Sequence, residues 1–139
     1  MEKAAFRFKN YYFTKAKIEF PTQTERNLDL DVKFLPKGEF VKTDATFKLY
    51  LKVIISSKKN ELEANLVEVD SFSEFLFSEQ IQLEDIPGFF YPNCIAIVFP
   101  YIRAFISTLS LQANMNPIIL PTMNLTSLQE ELKKNTTEI

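Results

Sequence analysis

Histidine and tryptophan are absent from this chain, and cysteine and glycine are nearly so. Without histidine there is no Ser-His-Asp or Cys-His machinery, and a zinc site loses its commonest nitrogen ligand. The lone Cys94 leaves no intrachain disulfide and fits a reducing compartment. Phosphate-cradling loops need several close glycines, and only Gly38 and Gly88 are present, which argues against a nucleotide site. A net charge of −2 gives no electrostatic reason for nucleic-acid binding. Charge itself is missing from one long stretch: between Ile86 and Leu128 the only charged side chain is Arg103.

What remains is an ordinary globular composition. The 139 residues, 46 % hydrophobic and 24 % charged, suit one domain with a real core. The opening Met1-Glu2-Lys3-Ala4-Ala5-Phe6 has no apolar signal segment. Cys94 to Leu111 is about as long as a minimal membrane span. Arg103 at its centre would cost roughly 2.5–3.5 kcal/mol there, so no membrane insertion is expected. No cofactor, metal or catalytic constellation is expected, and the chain reads as a non-enzyme.

The first half alternates with period two. Phe6, Phe8, Tyr12, Ala16, Ile18 and Phe20 share one parity against Arg7, Lys9, Lys15, Lys17 and Glu19. Tyr11-Tyr12-Phe13 puts aromatics on both faces. A second strand carries Leu28, Leu30, Val32 and Phe34, and Leu35-Pro36-Lys37-Gly38 reads as its closing turn. A third carries Ala45 to Ile55. The fourth starts at Leu62, and the parity flip at Leu66-Val67 predicts a bulge. Short connections favour an antiparallel meander. After Asp70 the alternation fades into an aromatic run, Phe72 to Phe77, read as core.

The second half is helical. Ile95, Val98, Phe99, Ile102, Phe105, Ile106 and Leu109 recur at helical spacing, with Ile97, Tyr101, Ala104 and Leu111 on the other faces. Such a helix needs cover on more than one side, so association with other copies or a client is expected. Pro100 should kink it. Arg103 is expected to reach a carboxylate or backbone carbonyls, and Cys94 to be a small buried hydrophobe. Asn114 to Thr122 reads as a linker. Asn124 or Thr126 can cap a last helix striped by Leu125, Leu128 and Leu132. Residues 133–139 read as a frayed polar tail of the single 1–139 domain.

Cys94-Ile-Ala-Ile-Val-Phe-Pro-Tyr-Ile-Arg103 resembles the Cys-Pro-Asn-Ile-Leu-Phe-Pro-Tyr-Ala-Arg helix of the SecB family of protein-export chaperones. Ile106-Ser107-Thr108, the Pro-containing linker to Leu120, and Asn124-Leu125 follow in that family's order, while Tyr12, Glu19 and Pro21 resemble its opening strand. The resemblance implies an α+β fold: a four-stranded antiparallel sheet, a long helix and a C-terminal lid helix. It implies a cytoplasmic homotetramer, a dimer of dimers, with Ile95, Phe99, Ile102, Phe105 and Ile106 at the interface. It implies ATP-independent holding of unfolded preproteins, with Leu28, Leu30, Val32, Leu125, Leu128 and Leu132 binding the client. Docking to the SecA motor would fall to Glu19, Leu66 and Glu68. Lys15, however, stands where the family carries a docking Asp, and Lys133-Lys134 stand in place of an acidic tail. These departures imply weak or absent binding to SecA and leave a second role open, guarding one partner such as an antitoxin.

Overall fold

The computed structural model describes residues 5–20, 30–57, 65–122 and 124–139. In chain order they form β1 (Phe6–Ile18), β2 (Leu30–Val41), β3 (Thr46–Ser57), β4 (Asn65–Phe77), α1 (Phe90–Gln112), α2 (Leu125–Lys134) and β5 (Thr136–Glu138). The sheet order is β1-β4-β3-β2-β5. The first four strands pair antiparallel and β5 joins β2 in parallel. The expected four-stranded antiparallel meander is thus corrected to a five-stranded mixed sheet. The meander holds for β2-β3-β4, but β1 crosses over to pair with β4.

Alternation explains one face of the sheet. Phe47, Leu49, Leu51, Val53 and Ile55 of β3 are at most 1 % exposed and lie beneath α1. Facing the same way are Val67, Val69, Phe75 and Phe77 of β4, together with Phe34 and Phe40 of β2. The aromatic run after Asp70 belongs to β4, which runs unbroken to Phe77. It hides its period because Phe72 and Leu76 point to the opposite, half-covered face. The bulge expected at Leu66 is present: Ile55 pairs with Val67 and Ser56 with Asn65, leaving Leu66 as the extra residue.

Strand β1 carries two such irregularities, between Phe8 and Asn10 and between Phe13 and Lys15. Each flips the parity. The residues turned toward α1 are therefore Phe6 and Phe8, then Tyr11 and Phe13, whereas Tyr12 turns outward beside Phe72. Simple alternation groups Tyr12 with Phe6 and Phe8, and the extra residue at position 9 is what separates them.

The supposed turn Leu35-Pro36-Lys37-Gly38 lies inside β2. Backbone direction makes this possible. Gly38 N–H donates to the Asn135 carbonyl (3.2 Å) and Phe40 O accepts from Ile139 N–H (2.9 Å). Even-numbered residues of β2 therefore direct their backbone groups away from β3. The N–H that Pro36 lacks would have faced this outer edge, where proline is tolerated.

Helix α1 lays one stripe on the sheet: Phe90, Cys94, Ile95, Val98, Ile102 and Ile106 are buried. Phe90 is the hub, with ring centroids 4.8 Å from both Phe6 and Phe47 and 4.9 Å from Phe77. By length and composition α1 could cross a membrane, with a mean hydropathy of 1.8, yet its inner face is committed to this sheet. Asn114 ends the helix in a left-handed conformation (φ 60). Its N–H reaches the Leu111 carbonyl, and Met115 N–H reaches Ser110 O (3.0 Å), a paired C-terminal cap.

The last residues, expected as a frayed tail, carry β5. Thr136–Glu138 align with Gly38, Glu39 and Phe40.

Candidate functional site

A groove of about 410 Å³ opens between α1, the segment that follows it, and the start of α2. Ala96, Phe99 and Arg103 line it from α1, Leu120, Pro121 and Thr122 from the connecting segment, and Leu125 from α2. Helical spacing places Ala96, Phe99 and Arg103 on one side of α1, one turn apart. Pro100 has no N–H to give the Ala96 carbonyl, so that acceptor on the groove wall lacks its helical partner.

Two serines fix the connecting segment. Ser107 Oγ donates to the Ile118 carbonyl (2.8 Å), and Ile118 N–H donates to Ser110 Oγ (2.9 Å). Both backbone groups of Ile118 are thereby satisfied by α1, and Ile118 and Leu120 are held as buried residues. Ser110 is itself fully buried. Replacing Ser110 with alanine orphans a buried N–H, which costs about 1–3 kcal/mol. Urea denaturation should show that loss, with faster proteolysis at 113–122.

Asn124 begins α2 by accepting from Ser127 N–H (3.3 Å). The leucine stripe then divides. Leu125 is half-buried and lines the groove, whereas Leu128 and Leu132 are buried and anchor the helix. Leu132, fully buried, is a core residue. On the other side Phe99 meets Phe34 edge-on at 6.1 Å, linking the groove to β2. Leu30 and Val32 follow Phe34 along the same half-buried face. Leu28 lies outside the described residues. Past Pro36, no described strand pairs with the outer edge of β2 at Leu30, Val32 and Phe34.

Arg103 is exposed at the groove rim, and no ion pair or hydrogen bond ties it to the other described residues. The expected carboxylate or carbonyl partner is not found among them, because the side chain leaves the helix on its open face.

The residues expected to dock a motor or to join copies fall in several places. Glu68 is on the sheet face away from α1, bonded to Lys15 Nζ (2.9 Å) and flanked by Lys52 Nζ (3.9 Å). The hydrogen bond from Lys15 holds the Glu68 carboxyl below its usual range and raises the Lys15 amine. Glu19 is exposed beside Lys17, while Leu66 is buried. Ile95, Ile102 and Ile106 are at most 1 % exposed within the subunit and belong to its own core. Phe105 stacks on Phe13 (4.0 Å), and the apolar residues left open on this side include Tyr101 and Leu111 of α1 with Tyr11 of β1.

Sequence reasoning assigned Leu125 to a groove but Phe99 to an interface between copies, and it missed Leu120, Pro121 and Thr122 as groove walls. The signal was there in part: apolar Ile118 and Leu120 follow a helix bearing Ser107 and Ser110.

Comparison with known proteins agrees with the geometry. The family model described as preprotein translocase subunit SecB matches residues 6–136. An uncharacterized protein of Methanocaldococcus jannaschii, MJ0357, is 31 % identical, across 98 % of this chain and 92 % of its own length. The fold is similar to that of the Mycobacterium tuberculosis SecB-like chaperone Rv1957, solved with a ChAD peptide from the HigA1 antitoxin. The TM-score is 0.67 at 14 % identity, covering 85 % of this chain and 90 % of that one. With the family model spanning the sheet, the long helix and α2 alike, the chain belongs to the SecB family.

Proposed function

We propose that this SecB-family protein is an ATP-independent holdase that keeps non-native polypeptide in an extended, apolar grip. The observation that carries the reading is the groove itself. Phe99, Leu120 and Leu125 offer apolar walls, and beside them the edge of β2 from Leu30 to Phe34 has backbone groups facing outward. An extended client fits both, with main-chain bonds to the edge and alternate side chains in the groove. Burial contributes roughly 25 cal/mol per Å² of apolar area and asks for little sequence specificity. The test is aggregation of a slow-folding protein diluted from denaturant. Suppression near one chaperone assembly per client is expected, and none at a several-fold excess rules the reading out.

The sheet face away from α1 favours a role without SecA. Lys15 and Lys52 neutralise Glu68, and Leu66 is not available at the surface. Calorimetry with the host SecA should detect no binding at micromolar concentrations. A dedicated client is the second reading, favoured by the antitoxin peptide bound to the M. tuberculosis relative. Purification from the native host separates the two: one neighbour-encoded protein supports a dedicated guard, many precursors a general holdase. Association of copies into a tetramer would use the open apolar surface of α1 and β1, Tyr101, Leu111 and Tyr11. Mass measurement in solution should find an oligomer, and a strict monomer at high dilution would remove that part of the proposal.

A further inference from the structure

We infer that β5 is a releasable strap that holds α2 over the groove, and that its release from the β2 edge is the step that opens the site. Helix α2 is short, ten residues, and a helix of that length is marginal on its own. Its buried contacts are Leu128 and Leu132, supplemented by Lys133 over the Tyr91 ring (6.0 Å). The strap closes the other end. Thr136 Oγ1 donates to the Leu132 carbonyl (2.6 Å), tying the first strap residue to the last turn of the helix. Asn135 Nδ2 donates to Pro36 O (3.4 Å), Gly38 N–H to Asn135 O (3.2 Å), and Lys42 N–H to Ile139 O (3.3 Å).

The β2 edge is shaped for this strap. A Cβ at Gly38 would stand 2.5 Å from Phe47 Cζ and 2.7 Å from Thr136 Oγ1, so glycine leaves room both for the core ring of Phe47 and for Thr136. The attachment is nevertheless light. It spans three residues in parallel pairing, and Thr137, Glu138 and Ile139 are exposed. Elements with few buried contacts and solvent-exposed backbone bonds open at low free energy. Detaching β5 leaves α2 held by two leucines, and its Leu125 end, already at the groove, is then free to lift. The consequence for clients rests on the groove reading above, whereas the mechanical coupling of strap to helix does not.

Amide hydrogen exchange on the client-free full-length protein tests the coupling directly. Thr137 is the middle of the three paired positions of β5, is exposed, and loses a ladder donor as proline. In Thr137→Pro, exchange in residues 125–134 should accelerate at least tenfold while β3 and the Phe90–Ile106 part of α1 keep their protection. Thr136→Val, which removes the hydroxyl bonded to the Leu132 carbonyl without touching β3, should do the same. Unchanged protection of α2 in both variants, with the strap amides exchanging freely, would overturn the inference. So would a parallel loss of protection across β3, since the strap would then be part of the core. Client release is measured second. If α2 loosens but release does not quicken, the strap stands and the groove reading fails.

Discussion

Replacing Phe99 with alanine is expected to weaken capture of unfolded polypeptide by about two- to fivefold at that single contact. Phe99 is half-buried, so part of its ring is already committed to Phe34 and the rest faces the groove. A client side chain placed there completes the burial. Full burial of such a side chain is worth about 1.5–3 kcal/mol; the client completes only the part still exposed, roughly 0.5–1 kcal/mol, and each 1.4 kcal/mol is tenfold in affinity. The change should be read as a Kd for a labelled, permanently unfolded client, with a urea titration beside it to show that the fold survives. Phe99→Leu should recover most of the affinity, because it restores apolar volume. Tyr12→Ala is the matched control: Tyr12 is 54 % exposed, but on the opposite face of the sheet beside Phe72. Equal losses from Phe99→Ala and Tyr12→Ala would place the client elsewhere.

How much of this was legible follows from where two-residue periodicity survives. Strand β3 keeps one register from Phe47 to Ile55, and its inward face could be read directly. Strand β1 could not, because the extra residues near positions 9 and 14 reverse the faces twice, and no local composition announces them. The Phe72–Phe77 segment was obscured differently. It is apolar on both faces, so alternation in hydrophobicity vanishes though alternation in space does not. Pro36 misled as a turn residue because its role depends on which edge its missing N–H faces, and that depends on a partner strand nearly a hundred residues away. The tail misled for the same reason. Thr136–Glu138 is too polar and too short to be a strand by itself; only the seat beside Gly38 makes it one. In the groove, Phe99 and Leu125 were visible as apolar residues on helices. Leu120 was not, because its position is set by Ser107 and Ser110 holding the Ile118 backbone.

The second large effect is expected at Phe90, where alanine should cost about 3–5 kcal/mol of stability. Nothing in its hydropathy distinguishes Phe90 from Phe89, yet Phe89 is exposed and Phe90 fully buried. The difference is position. Phe90 opens α1 where the helix descends onto the sheet, and its ring stands among Phe6 of β1, Phe47 of β3, and Phe75 and Phe77 of β4. These contacts are mostly edge-to-face, the arrangement aromatic pairs favour, and each such pair adds about 0.5–1.5 kcal/mol beyond its area. Four rings from three strands cannot collapse together into the space left by one, because β-ladders fix their backbones. The cavity should therefore persist, which puts the loss in the upper range for a truncated core phenylalanine. Phe89→Ala, by contrast, should change stability by less than about 0.5 kcal/mol, as exposed substitutions do. Both values come from equilibrium denaturation. A loss below about 2 kcal/mol at Phe90 would mean that α1 docks loosely on the sheet at its start, and the groove farther along the same helix would then lack the rigid wall that client binding requires.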